Sequence, residues 1–279
     1  MWLLMKETVL AWIEDRAASM GASLAYYTLF SMAPLLLIAL SVAGLVFGQE
    51  AARGEIFGQL RGLIGDNGAM VIQDLLDHVH RPGRGVSSMV IGVGILLIGA
   101  TSVFTELKAD LDLIWKTPKS PRSGLWSLIT VRIMAVGLIL AFGFLLVISL
   151  VLSAALTGLG SHVWGRIPYL LEVLNFLSFT FLATLLFALI YRFVPDARTP
   201  WPDVWAGAMV TSLLFAAGKA LIGLYIGTSA VASAFGAAGG LVALLVWVYY
   251  SAMIFLFGAE FTKSWARRRL LPGPVPQVK

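Results

Sequence analysis

The chain has 279 residues, of which 59% are hydrophobic and only 13% charged, about half the roughly 25% charged content of a soluble domain, so it cannot clothe itself in a polar surface. It contains no cysteine, which excludes disulfides, thiolate metal sites and cysteine nucleophiles, and in so apolar a chain a net charge of +5 marks cytoplasmic loops rather than a nucleic-acid partner. The mean hydropathy of +0.88 comes in long unbroken apolar runs, which predict lipid-facing helices and exclude a barrel of alternating strands.

The expected fold class is all-α, a polytopic membrane protein with six transmembrane helices, both termini inside, and amphipathic interfacial helices. Residues 1–27 come first. Val9, Trp12, Ile13, Ala17, Met20 and Leu24 recur at helical spacing while Glu14, Asp15 and Arg16 turn to another face, which predicts a cytoplasmic amphipathic helix on the membrane surface. One lysine followed by Glu7, Glu14 and Asp15 is not the basic region of a signal peptide, and the amino terminus is expected to be retained. The six-helix domain then covers 28–262, with spans at about 28–48, 86–105, 133–156, 172–194, 204–226 and 239–261, each built on a run able to cross about 30 Å of hydrocarbon.

The longest connection, 49–85, carries a second amphipathic stripe, Ile72, Leu75, Leu76 and Val79, after the turn-like Gly65 to Gly68. It is expected to be a periplasmic helical loop, resting on the bilayer or covering a cavity. Thr228 to Gly240, rich in small residues, is the natural turn between spans five and six. The basic tail 263–279 contains Pro272, Pro274 and Pro276 and is expected to be flexible. Gly44 with Gly48, Gly223 with Gly227, and Gly236 with Gly240 lie four apart, a spacing that lets helices approach closely. Packing within one chain and a homo-oligomer both use it.

Counting Lys and Arg by segment tests the layout, since positive residues gather in cytoplasmic loops. The amino-terminal segment, the loops after spans two and four, and the tail hold 14; the opposite side holds 5; Lys219 sits inside span five. Both ends are therefore expected to face inward. Lys219, about 10 Å by helical rise from the outer end of its span, either snorkels or faces a pathway for an anionic group. Asp74, Asp77, His78 and His80 cluster in the 49–85 loop but fall short of the three or four placed ligands and second shell of a zinc site. No phosphate-cradling glycine loop, nucleophile elbow or paired-carboxylate arrangement stands out. No catalytic residue, metal or cofactor is expected.

From Ser23 to Leu36, SLAYYTLFSMAPLL, the sequence resembles the BrkB/YihY family of bacterial inner-membrane proteins, formerly labelled ribonuclease BN. Further matches follow in order: Asp15 with Ala17 and Ala18, TELKADLDLIW from Thr105 to Trp115, RFVPD from Arg192 to Asp196, WAGA from Trp205 to Ala208, and SAFGAAGGLVALLVWVYYSAMIFLFGAEF from Ser233 to Phe261. The motif positions singled out are Asp15, Asp112, Trp115, Pro195, Asp196, Gly236 and Glu260. Two departures are visible: Asp112 stands where the family is expected to show asparagine, and Phe235 where tyrosine is usual. The resemblance implies six spans and an inner-membrane location. Of activity it implies less, since members carry ribonuclease, virulence-factor and transport labels. The ribonuclease label fits poorly, because DHVHRPG supplies only the first two histidines of an HxHxDH cluster.

The leading expectation is a transporter or flippase-like protein for an amphipathic or anionic envelope molecule such as a lipid. Its pathway candidates are Lys219, Tyr26, Tyr27, Pro34, Thr101, Ser102, Thr211 and Ser212, with proline freeing a carbonyl that a substrate could use. A non-transporting envelope scaffold is the alternative, and a lipid-modifying enzyme a third. Membrane lipids are the expected partners.

Overall fold

The computed structural model describes residues 1–48, 102–118, 168–197, 199–228 and 239–270 continuously, and scattered positions between 50 and 73 and between 137 and 148. Most of the predicted spans 133–156 and 86–105 and of the 49–85 loop, both His positions within that loop, Thr101, Gly236 and the tail beyond 270 lie outside the described residues. Those described are helical, with no strand among them. In chain order they form α1 (Trp2–Glu14), α2 (Ala17–Phe47), α3 (102–114), α4 (Pro168–Phe193), α5 (Trp201–Thr228) and α6 (Gly239–Leu270). Two of these contain stretches long and apolar enough to cross a membrane, Phe176–Phe193 and Leu241–Arg269. The fold is all-α and membrane-associated.

The continuous stripe read through 1–27 is divided. α1 ends at Glu14, and Arg16 adopts a left-handed conformation, φ 56° and ψ 41°, immediately before α2. A non-glycine residue there makes a sharp elbow. α2 carries no charge over 31 residues and remains helical through Pro34, ending where Gly48 takes φ 83°. The turn from α4 to α5 is fixed by Arg192, whose guanidinium donates to the Thr199 carbonyl and lies 5.7 Å from the Trp201 ring centre. Pro200 accepts bonds from the amides of Asp203 and Val204, and Asp203 places a carboxylate in the first turn of α5, where the helix dipole favours it.

α6 is the central helix. It packs against α1, α2 and α5, while α4 packs on α5 and reaches α6 through Phe187 and Tyr191. Pairings such as Gly207 with Thr262 and Thr211 with Gly258 make α5 and α6 antiparallel, and Phe187 with Phe215 continues the layer into α4. In lipid the hydrophobic effect does not hold helices together, so close contact and interhelical hydrogen bonds must. The α5–α6 interface shows how. A Cβ on Gly207 would collide with Thr262 Oγ1, and a Cβ on Gly258 with Thr211 Oγ1; each helix offers a glycine to the other's threonine.

One core joins α2, α3, α4, α5 and α6, with Met20, Leu111, Ile114, Tyr191, Val204 and Leu256 all buried. A second, of Ala25, Ile72, Leu244 and Val248, lies toward the opposite end. Glu7 of α1 accepts a two-pronged bond from Arg268 at 2.9 and 2.8 Å. α1 and the last turn of α6 therefore lie at one end of the bundle.

Candidate functional site

Two places in this frame hold polar chemistry. The first is around Lys219 on α5, half-buried, with its Nζ 5.4 Å from the centre of the Phe179 ring on α4. An ammonium over an aromatic face is stabilised by the ring quadrupole. Beside it Phe215, Gly218, Trp247, Tyr250, Ser251 and Ile254 line a shallow recess too narrow to hold a water molecule. About two turns back along α5, Thr211 and Ser212 are buried in helix contacts. Thr211 Oγ1 lies 3.0 Å from Tyr191 Oη, which donates to the Phe255 carbonyl at 2.7 Å, while Thr211 also reaches the Gly207 carbonyl at 2.8 Å. Two hydroxyl hydrogens serve three such bonds, so the network alternates. Ser212 Oγ lies 2.6 Å from Thr184 Oγ1 in the same α4–α5 interface.

The other pathway candidates lie elsewhere. Tyr26 is 57% exposed on α2, edge-on to Tyr27 and tilted against Phe30, and Tyr27 is also exposed. Pro34 is within α2; Ser102 is half-buried at the start of the described part of α3. The structure thus brings Lys219, Thr211 and Ser212 onto one helix, and leaves Tyr26 and Tyr27 on another surface.

The second place is the end of the bundle that carries α1 and the last turn of α6, and here six of the motif positions gather. Asp112 Oδ2 accepts from Lys108 Nζ at 2.7 Å, and its Oδ1 accepts from the Asp196 amide at 2.7 Å. Lys108 Nζ also pairs with Asp196 Oδ1 at 2.7 Å. Asparagine could accept the amide, but its NH₂ would face the ammonium, so the departure at Asp112 adds an ion pair. Burial opposes the charge on Lys108; the bonds to Asp112 and Asp196 outweigh it and hold the ammonium above its usual range. This clamp fixes α3 to the turn containing the buried Pro195.

Across the core, Lys263 Nζ bonds Glu260 Oε2 at 3.0 Å and Asp15 Oδ2 at 3.1 Å. Glu260 is completely buried, and its Oε1 has no donor. Burial works against the charge on Asp15, but bonds with Glu260 and Lys263 prevail and keep its carboxyl below the ordinary aspartate range. Trp115, packed on the same core, has a buried Nε1 without an acceptor, as does Trp12 of α1. Asp110 points away from the clamp. It is 7% exposed with Oδ2 unpartnered, and burial, with Glu106 nearby, pushes it up to about 7.

Sequence reasoning passed over Lys108, Lys263 and Asp110. The spacing of Lys108 to Asp112 and of Glu260 to Lys263 was a usable signal, since residues three or four apart share a helix face. Nothing local could have joined Lys263 to Asp15. Among the described residues no three metal-ligating side chains come together, and Asp74, Asp77, His78 and His80 lie outside them.

Long apolar helices, tight glycine contacts and partly buried ion pairs at one end define a multi-pass α-helical membrane protein. The chain matches the family described as Virulence factor BrkB over residues 8–276 and belongs to it, as an inner-membrane protein. It is 29% identical to a UPF0761 membrane protein of Azotobacter vinelandii, over 99% of this chain and 66% of that one. A Pseudomonas paraeruginosa relative of the same description is 29% identical over 94% of this chain and 64% of its own length. One from Alteromonas mediterranea is 28% identical over 90% and 83%. The chain thus spans just under two thirds of the first two relatives. No solved structure matches it.

Proposed function

We propose that this protein is a transporter or flippase-like protein that moves an amphipathic or anionic envelope molecule, such as a lipid, without a nucleotide site of its own and without catalysing a reaction. The observation that carries the reading is Lys219, the one charge of α5 beyond its first turn, set over Phe179 at the edge of an aromatic-lined recess. A charge at membrane depth is costly and is retained where it serves an ion or headgroup. The recess is narrow as it stands, so Trp247 and Tyr250 would part to admit a headgroup. In this reading the chain has six spans, both termini are cytoplasmic, and membrane lipids are its partners. Reconstitution into liposomes with a panel of labelled anionic and zwitterionic lipids tests it. Faster movement with protein, reduced in Lys219→Met, is the expected result; equal rates with and without protein across the panel would remove the proposal.

A scaffold is the second reading, favoured by the α4–α5–α6 contacts, where Tyr191, Thr211, Thr184 and Ser212 fill the space between helices. It predicts no lipid movement and capture of an envelope partner by the loops.

A further inference from the structure

Glu260, Asp15 and Lys263 have an unequal charge count. Two carboxyl groups share one ammonium, at 3.0 and 3.1 Å, and one of those carboxyls, Glu260, has no contact with solvent and no donor for its Oε1. An unmatched negative charge in such a place is strongly disfavoured, and two adjacent carboxyls relieve it by keeping a proton. The carboxyls of Asp15 and Glu260 both touch the one Lys263 ammonium and so lie close to each other. Two carboxyls this close share a proton more readily than they hold two full charges.

The surroundings support a site of this kind. Charged groups reach it from three elements: Asp15 from the elbow, Lys263 from α6, and Lys116 from the segment after α3, which acts on Asp15 through space. α2, α4 and α5 pack the adjoining core with Ala17, Met20, Val194 and Val204, and among the described residues no charged group of theirs acts on Glu260. The Asp15 and Lys263 side chains are 11% and 21% exposed, so a proton has a route to water at that edge. Asp15 is next to Arg16, whose left-handed backbone marks where the chain bends between α1 and α2.

We infer that Asp15, Glu260 and Lys263 form a proton-binding site whose loading and unloading sets how firmly the α1–α2 elbow is held to α6. When loaded, the hydrogen lies between the two carboxyls and Lys263 balances the remaining charge. Unloading sends the proton to water past Asp15, leaves two carboxylates facing each other, and loosens the elbow. As the coupling step of transport the site rests on the function proposed above; as chemistry it does not.

The test uses the full chain in lipid nanodiscs, in an Asp110→Asn background so that this other buried carboxyl does not contribute. Infrared difference spectra are recorded while pH is raised through neutrality. The protonated-carboxyl band is expected to titrate away, to be missing in Glu260→Gln, and to titrate at a shifted midpoint in Glu260→Asp, which keeps the test open if the glutamine variant fails to fold. The absence of cysteine allows paired spin labels at Lys6 and Arg267, whose separation should change with pH and stay fixed in Glu260→Gln. A band that titrates unaltered in both Glu260 variants would overturn the site, and a pH-independent separation would overturn the elbow. Neither readout needs a substrate, so positive spectra with no lipid movement would remove the transport reading alone, and the reverse would remove this one alone.

Discussion

At the scale of single residues, the buried charges make the sharpest predictions. Removing Lys263 while keeping Asp15 and Glu260 leaves two carboxyls without their ammonium. Losing one partner of a buried pair costs about 3–5 kcal/mol, and partial exposure of Lys263 places Lys263→Met toward the lower figure. Its thermal midpoint in detergent is expected to fall well below that of Glu260→Gln, which leaves Asp15 and Lys263 as a matched pair. Equal midpoints would contradict this charge count. Asp110 predicts a pH dependence of definite sign. Its folded-state value of about 7 lies above the ordinary 3.8, so the folded protein holds a proton that the unfolded chain has released between those two values. Stability therefore declines as pH rises through that interval. Asp110→Asn should be nearly neutral below the interval and should stabilise by on the order of 2 kcal/mol above it, measured as a midpoint difference across a pH series. These charges could be located in the sequence, but their partners could not. Lys108 with Asp112 was open to reading because four residues make one helical turn, whereas Lys263 and Asp15 are 248 positions apart and meet only after α6 has packed beside the elbow.

At the scale of elements, the α5–α6 contact depends on two glycines and two threonines. In GAMVT, Gly207 to Thr211, and GAEFT, Gly258 to Thr262, a glycine precedes a threonine by four residues, and the two segments meet head to tail. Each threonine hydroxyl returns a bond to the carbonyl of its own glycine, at 2.8 and 2.7 Å, so the polar atom is satisfied before it enters the neighbour's gap. Gly207→Ala is expected to force the helices apart at a cost of about 1–3 kcal/mol. Thr262→Gly in the same chain should recover much of it, and a double-mutant cycle on thermal midpoints measures the recovery. A search for paired small residues finds Gly44 with Gly48 and similar spacings and passes over these segments, since threonine is not small until its hydroxyl is folded back. α1 was misjudged for a related reason. Trp12 was placed on one stripe with Val9 and Ile13, but Leu4, Thr8 and Trp12 turn toward the protein and Val9, Leu10 and Ile13 outward. Both faces of this helix are apolar, one for α6 and one for lipid, and periodicity cannot separate two apolar faces.

At the scale of the molecule, composition alone carried the all-α membrane architecture, because a chain with so few charges has no other way to satisfy its backbone. The family assignment adds the inner membrane. How the helices lean on one another was beyond reach, as it is decided by distant side chains. The outward face of α1, with Trp2, Leu3, Val9, Leu10 and Ile13 exposed around Lys6, is expected to lie against the bilayer. Single cysteines placed at Val9 and Ile13 of this naturally cysteine-free chain should be shielded by lipid, with spin labels more accessible to oxygen than to a polar nickel chelate. Labels at Leu4 and Thr8 should be reached by neither. Equal exposure of Ile13 and Thr8 to the chelate would mean that α1 stands clear of the membrane.

The glycine–threonine exchange between α5 and α6 also bears on how such a protein could move. Teeth that enter each other's gaps index two bars to one notch, and slipping by a single tooth would drive a hydroxyl into backbone. Any rocking that opens a passage must therefore carry these two helices as a single lever, and the sliding surfaces belong to the neighbours that lack such cogs.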